Sequence, residues 1–373
     1  MTFTGRELRS TIKDGKLTLS LEQVEIDDPA DDEIVVRVEA APINPSDLGL
    51  LLGPSDLATL EMRPRSEAGL TFSIPEARLA SVQGRLGQSM GVGNEGAGTV
   101  VAAGRDAASL EGKRVGMIGG AMYADYRRIK AAEVIPLPDG ATAAEGAAMF
   151  VNPLTALGFV ETARQGGHTG IIHTAAASNL GQMLQKICLN DGMTLINIVR
   201  SQEQMAVLRE IGASHVLNSQ DEDFTARLAE AVEETGATIA FDAIGGGTLG
   251  SDILRAMEQV QVRQMAEYNR YGSNILKQLY IYGALDPSPV VLDRLKFGFQ
   301  WSASGWLLSP FLQKAGPEVV QRMRSRVVDE LTTTFASQYS RVISLAEALE
   351  PEVLLAYERK ATGEKFLIDP SKG

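Results

Sequence analysis

Hydrophobic and polar positions keep one rhythm in the first third of this chain and another from about Pro153 onward. In the first third, DEIVVRVEAAPIN alternates and stops at a proline and an asparagine, while GAGTVVAAG and GKRVGMI are short apolar runs set off by glycines. Short strands punctuated in this way predict a small β-barrel. The stretch from Gly53 to Gly93 holds Pro54, Pro64 and Pro75 and reads as a long excursion with one or two short helices. Beyond Pro153, GIIHTAA is a short buried strand. The helix after it places Leu180, Met183, Leu184, Ile187 and Cys188 on one face by their i, i+3, i+4, i+7, i+8 spacing. MTLINIVR is the next strand. Ser201 then caps a helix with Gln204 in capping-box position, and Gly212 supplies the left-handed residue that ends it. ATIAFDAIGGG, KQLYIYGAL and FGFQWSA are further strands. Strands alternating with helices predict an α/β unit with a parallel sheet and right-handed crossovers. The tail changes style again: PEVVQRMRSRVVDEL is an amphipathic helix and GEKFLIDP a closing strand.

Composition narrows the function classes. The chain has 373 residues, enough for two domains, with 44% hydrophobic and 22% charged residues. Its formal net charge of −12 opposes phosphate backbones and anionic membrane surfaces, which argues against nucleic acid and membrane as partners. The one cysteine, Cys188, offers neither an internal disulfide nor a thiolate cluster for metal. The opening residues MTFTGRELRSTIKDG lack the apolar core of a signal peptide, and no run of 18 apolar residues stands out as a membrane span. A cytoplasmic location is the expectation.

HTAAASNLGQM (173–183) lies where strand passes into helix, the place of a dinucleotide loop. Such a loop needs a tight turn, close approach of backbone to the diphosphate, and a helix N-terminus aimed at the anion. Counting back from Gly181, the other glycine positions of G-x-G-x-x-G hold Ala176 and Ser178. The Ser178 hydroxyl is positioned to donate to a phosphate, and the N–H groups of Asn179, Leu180 and Gly181 are expected unpaired at the helix start. An NAD-binding unit carries Asp or Glu about 20 residues further on, for the ribose 2′-hydroxyl. Here Val199 stands there, followed by Arg200 and Ser201, which attract a 2′-phosphate that a carboxylate would repel. This reading selects NADP(H). The plainer alternative makes Arg200 a solvated residue at a strand end.

Several stretches together resemble the medium-chain dehydrogenase/reductase superfamily, in its zinc-free quinone oxidoreductase-like branch: APINPSDL (41–48), GVGNEGAGTVVAAG (91–104), AMYADYRRI (121–129), MFVNPLTALG (149–158), the loop above, LREIGASHVLNS (208–219) and TGEKFLIDP (362–370). The resemblance implies a GroES-like β-barrel domain over residues 1–150, a Rossmann doubly wound parallel sheet over 151–302, and a return to the barrel domain over 303–373, with the nicotinamide in a cleft between domains. Zinc-dependent members carry cysteine and histidine where this chain has Asn44 and Asn94, so no metal is expected. The excursion at 53–93 is longer than in most members, and the stretch AEYNRYGSNILK (266–277) also looks extended.

The resemblance also implies an activity. Without zinc to acidify an alcohol, reduction of an easy acceptor is favoured over alcohol oxidation. The expected function is NADPH-dependent reduction of quinones or other activated carbonyl acceptors. Reduction of trans-2-enoyl thioesters is the alternative, although the tyrosine that protonates substrate in that branch is replaced by Ser55, leaving Tyr123 or Tyr268 as substitutes. A non-catalytic NADPH-binding protein, crystallin-like or a sensor, is the reading from another class. Asn44 and Thr155 are the candidate catalytic residues beside the nicotinamide. Asn152, Ser178, Asn179, Leu180, Gly181, Arg200, Ser201, Ala243, Ile244, Gly245, Gly283 and Ala284 are the candidate cofactor-binding residues. Glu95, Asp47 and Asp242 read as structural carboxylates, His173 as a core residue and Cys188 as inert. The aromatic strand FGFQWSASGW (297–306) pairs across a two-fold axis in such proteins, implying a homodimer; an internal edge strand is the other possibility.

Overall fold

The computed structural model describes residues 2–62, 69–360 and 363–373. It resolves into two compact units, one formed by residues up to Val151 together with Arg326–Gly373, the other by Asn152–Ser325.

The first unit is built from β-strands in two sheets. One runs in the order Asp56–Met62, Gly69–Ser73, Lys16–Ile26, Phe3–Lys13, Ser89–Gly91. Its long hairpin turns at Asp14 and Gly15, both at positive φ, as a two-residue Asp-Gly hairpin turn requires. The other sheet runs Val134–Pro136, Arg114–Ile118, Glu95–Ala103, Glu33–Pro42, Phe366–Ile368, Arg341–Ile343, with Tyr126–Lys130 also paired to Glu33–Pro42. Alternation buries Leu8 and Ile12, Leu17 and Leu19, and Val36 and Val38 in one core. Phe366 and Ile368 from the far end of the chain enter that same core. The tail strand lies antiparallel to Glu33–Pro42, with Leu367 opposite Pro42 and Ile368 opposite Ala41.

The excursion after Gly53 is more regular than the sequence suggests. Asp56–Met62 and Gly69–Ser73 form an antiparallel pair that extends the first sheet, and Leu70 and Phe72 are fully buried. The helical part is the single turn Glu76–Leu79 with a 3₁₀ segment at Ala80–Arg85. Five-residue alternation between prolines is a weak signal, and the burial of two side chains decides the matter. Pro64 lies outside the described residues.

The second unit is a six-stranded, wholly parallel sheet in the order His215–Asn218, Thr194–Val199, Gly170–Thr174, Ile239–Asp242, Lys277–Ile281, Trp301–Gly305. Helices Asn179–Asp191, Gln202–Glu210, Phe224–Thr235 and Leu249–Arg263 fill the crossovers. The chain leaves Gly170–Thr174 toward one edge and later returns on its other side. That reversal is the topological switch point where open α/β sheets bind ligands, at the carboxyl ends of the strands. Leu180, Met183, Leu184, Ile187 and Cys188 are all buried, as their spacing requires. This unit runs on to Ser325, past residue 302, because the segment after the last strand is tied back to it: Trp306 packs edge-on against Phe159, its Nε1 donates to Thr162, and Arg322 pairs with Glu161. The stretch Ala143–Gln165 is long and apolar enough to cross a membrane by length and composition, but 78% of its most apolar window is buried in the fold.

One ionic cluster pins the second extended stretch. Glu258 accepts from Ser273 N at 2.8 Å and from Ser273 Oγ, and pairs with Lys277, whose Nζ also donates to Ser273 Oγ at 2.8 Å. The Lys277 side chain is wholly buried. Removing the carboxylate strands a buried ammonium, so Glu258→Gln should destabilise by about 3–5 kcal/mol in chemical denaturation. A loss under about 1 kcal/mol would show that the pair does not hold this segment.

Candidate functional site

Each unit contributes its own set of candidate residues. In the second unit the loop between Gly170–Thr174 and the helix Asn179–Asp191 turns at Ala175, which sits at φ +49. That residue, and not Ala176 of the glycine spacing, carries the left-handed turn; for alanine this conformation costs about 1–2 kcal/mol. Ser178 is the helix N-cap, and its Oγ accepts from Gly181 N at 3.2 Å. The expectation of three unpaired N–H groups is therefore corrected for Gly181, whose N–H is occupied by the cap. The Ser178 hydroxyl keeps its hydrogen to donate. Gly181 itself is required by space: a Cβ there would run into the Ala176 carbonyl. This is the close helix–strand contact that the third glycine of such a loop provides.

Arg200 is exposed at the end of Thr194–Val199, and its backbone N–H donates to Gln204 Oε1 at 3.0 Å. Its guanidinium has no ion pair among the described residues and stands free for an anion. Ser201 caps Gln202–Glu210 by accepting from Gln204 N at 3.3 Å. The same hydroxyl bonds to Glu203 and holds that carboxyl below its usual range. Ser201 is thus committed to the helix start, which leaves Arg200 as the stronger candidate for a phosphate.

At the next strand end, Asp242 acts as a clamp. It accepts from Thr174 Oγ1 at 2.6 Å, Ile244 N at 2.9 Å and Gly245 N at 3.1 Å, while Ala243 N donates to Thr174 Oγ1. Ala243 and Ile244 in turn accept from Leu285 and Asp286 N–H groups. The fold therefore brings Ala243, Ile244 and Gly245 against Gly283 and Ala284. A Cβ at Gly283 would meet the Ala243 carbonyl, so this glycine is explained by strand contact whether or not a ribose approaches. Asn152 and Thr155 lie in the first turns of the helix Val151–Gln165, Asn152 half-buried and Thr155 buried. His173 is fully buried with Nε2 2.7 Å from the Tyr282 hydroxyl, and burial lowers its pKa to about 3, so it stays neutral.

In the first unit Asn44 ends the Glu33–Pro42 segment and is 2% exposed. Its Nδ2 donates to Glu95 Oε1 at 2.8 Å, a contact that fixes the orientation of the amide. Its Oδ1 is buried with no hydrogen-bond partner. The unused atom is thus an acceptor, suited to a hydroxyl such as a ribose, where the sequence suggests an amide donating to a substrate oxygen or to the cofactor ribose. Glu95 is wholly buried and also accepts from Phe150 N at 3.0 Å and Val151 N at 2.9 Å, a carboxylate on the orphan amides of a helix start. Burial raises its pKa. Strand register brings Lys365 into this neighbourhood: Ile43 N donates to Phe366 O, so the residue before Phe366 falls opposite Asn44. Lys365 Nζ is buried without a hydrogen-bond partner, and burial lowers its pKa to about 8 against the pull of Glu95 and Asp47. Sequence reading missed this lysine; the signal was a charge directly preceding an apolar closing strand.

Asn94 N donates to Asp47 Oδ1 at 2.8 Å and Asn94 Nδ2 to Ser46 Oγ at 3.0 Å. The side-chain amides of both asparagines thus donate within the protein, Asn44 to Glu95 and Asn94 to Ser46. Among the described residues no three His, Cys, Asp or Glu side chains gather as a metal site. Of the tyrosine substitutes, Tyr123 is fully buried and donates to Pro42 O at 3.0 Å, and Tyr268 is 92% exposed. Ser55 donates to Leu52 O within its turn.

Comparison with known proteins places these residues in context. A family model described as zinc-binding dehydrogenase matches residues 180–259, the span from the helix after the loop through Leu249–Arg263. The mitochondrial enoyl-[acyl-carrier-protein] reductase of Xenopus tropicalis is 32% identical over 212 residues, 54% of this chain and 52% of that protein. The quinone oxidoreductase of Pseudomonas aeruginosa is 27% identical over 201 residues, 52% of this chain and 61% of that protein. The chain thus matches only about half to three-fifths of the length of these curated relatives. A crystal structure from Mesorhizobium loti, assigned as an NADPH:quinone reductase, is 27% identical with a TM-score of 0.72 and covers 98% of both chains.

The buried turn at Asp47 has a titration consequence. Burial pushes its carboxyl from 3.8 up to about 7, although the Asn44 and Asn94 N–H groups pull the other way. The folded chain therefore keeps this proton through a window in which the unfolded chain has lost it, and the group's contribution to stability, full below pH 3.8, drains away as pH rises through about 7. Glu95 shifts in the same direction. Urea titrations should show stability falling across that window, with a shallower fall in Asp47→Asn; an unchanged slope in the variant would remove Asp47 as the cause.

Proposed function

We propose that the chain is a member of the medium-chain dehydrogenase/reductase superfamily and an NADPH-dependent reductase of quinones or other activated carbonyl acceptors, working without catalytic zinc. The observation that carries the nucleotide choice is Arg200, an unpaired guanidinium at the end of the strand next to the loop strand. Gly181, with no room for a Cβ, and the capped helix start at Ser178 fit a diphosphate approaching the backbone. In the first unit, the unpartnered Asn44 Oδ1 fits a ligand hydroxyl. When bound, the nicotinamide supplies the hydride. The chain's own residues orient the nucleotide: Ser178 and the helix-start N–H groups hold phosphate oxygens, Arg200 holds the 2′-phosphate, and Thr155 and Asn152 line the approach to the ring. Amides at 44 and 94 leave an acceptor to be polarised by hydrogen bonds, which suffices for acceptors that take hydride readily.

Reduction of a trans-2-enoyl thioester is the second reading, favoured by the 32% identity to an enoyl reductase. Against it stands Ser55, locked to a turn carbonyl where that branch uses tyrosine. A nucleotide-binding protein without turnover is the third. We further propose a cytoplasmic location and a homodimer. The strand Trp301–Gly305 is the edge of the parallel sheet, and Leu307 just beyond it is 66% exposed, so a second copy continuing the sheet would pair with that edge.

The deciding experiment measures NADPH and NADH affinity and then steady-state rates with a small para-quinone and with a short enoyl thioester. Faster quinone reduction with NADPH is the expected result. Binding of NADPH with no oxidation by either acceptor would sustain the non-catalytic reading instead. Arg200→Glu should weaken NADPH by about 10- to 100-fold, with NADH little affected, given about 1.5–3 kcal/mol for a charge-assisted bond. An unchanged NADPH/NADH ratio would refute the assignment of Arg200.

A further inference from the structure

We propose that the second unit carries a separate binding site for a small aromatic anion, in a cavity of about 460 Å³ walled by Arg270, Tyr271, Arg294, Lys296, Phe299 and Trp301. The site stands on three observations.

The first is charge. In a chain of net charge −12, three cationic side chains converge on one cavity. Among the described residues the one carboxylate in its wall is Glu258, and that one is neutralised from behind by Lys277 and Ser273. Arg294 has no hydrogen bond or ion pair among the described residues, whereas Lys296 is paired to Asp293 at 2.9 Å. The cavity thus presents an unmet guanidinium. A guanidinium holds a carboxylate, sulfonate or phosphate through paired N–H donors.

The second is the apolar half of the lining. The Arg270 guanidinium lies 4.5 Å over the Tyr271 ring, and Phe299 is 67% exposed beside the half-buried Trp301. Rings and guanidinium planes together offer stacking faces for a flat ligand. An inorganic anion would leave those faces unused, and a neutral ring would leave Arg294 unused. The volume is within the range of small-ligand pockets.

The third is construction. Gly272 at φ +86 and Gly298 at φ +68 both lie against Glu258, where a Cβ on either would collide with the carboxylate. One carboxylate therefore draws together the helix Leu249–Arg263, the extended stretch 266–277 and the segment just after Arg294–Lys296. The stretch 266–277 supplies the Arg270–Tyr271 wall. The site is also remote from the nucleotide residues within its own unit. Lys277 and Trp301 begin their strands, whereas Thr174, Val199 and Asp242 end theirs. In a parallel sheet these are opposite edges.

The test uses the full chain and 1-naphthoate as probe, with 1-naphthalenemethanol and sulfate as partners lacking charge or ring. Calorimetric titration should give one saturable equivalent of 1-naphthoate per chain, retained in saturating NADPH, with both partners at least about tenfold weaker. Arg270 and Arg294 are exposed, so Arg270→Ala/Arg294→Ala should fold normally, checked by near-ultraviolet circular dichroism, and should weaken 1-naphthoate by about tenfold or more. Quenching of tryptophan emission by the probe should be lost in Trp301→Phe. Absence of saturable binding, displacement by NADPH, or full affinity in the double variant would overturn the proposal. Because binding is read without turnover, failure of the reductase reading leaves this result intact, and the converse holds.

Discussion

The second unit depends on how closely a helix can be laid against the loop that starts it. At Gly181 the backbone of the helix touches the Ala176 carbonyl with no space for even one methyl group. That contact sets the height of the helix N-terminus above the first strand. The turn just before it, at Ala175, takes a left-handed conformation that alanine adopts only under strain. The Ser178 cap, the fully buried face of the helix and the strands on either side hold that strain in place. An anion seated at this helix start would meet amides placed by packing before it arrives.

Much of this was legible in the sequence because it is periodic. Leu180, Met183, Leu184, Ile187 and Cys188 announce a helix face, and the glycines Gly192, Gly212 and Gly236 mark where helices stop, each at positive φ. The parallel sheet follows from strand–helix alternation alone. The candidate nucleotide residues were legible as positions relative to strand ends, and the structure does gather Ala243, Ile244 and Gly245 against Gly283 and Ala284. What sequence could not show is which atoms remain unused. Ser201 reads as a phosphate ligand until its hydroxyl is found on Gln204 and Glu203. Asn44 reads as a donor until Glu95 takes its N–H. Lys365 has no local pattern at all, since its place is set by register between strands from opposite ends of the chain.

Buried charge organises both units in different ways. In the first, Glu95 and Asp47 serve as acceptors for backbone N–H groups at a helix start and a turn, and burial drives both toward the protonated form. In the second, Glu258 is met by a full ammonium, with Ser273 filling the remaining donor positions. The first arrangement couples stability to pH. The second fastens a surface segment, at the cost of dependence on a single carboxylate.

The tail strand has a consequence for synthesis. Phe366–Ile368 lies between Glu33–Pro42 and Arg341–Ile343, and Arg6 donates to the carbonyls of Pro370 and Gly373. The first unit is thus left with an open sheet edge until the strand Phe366–Ile368 has been made. The second unit is one uninterrupted stretch of chain, its strands joined through helices in sequence order, and has no such wait. Emergence from the ribosome therefore favours an inside-out order, in which the middle of the polypeptide matures first while the earliest residues wait for the latest.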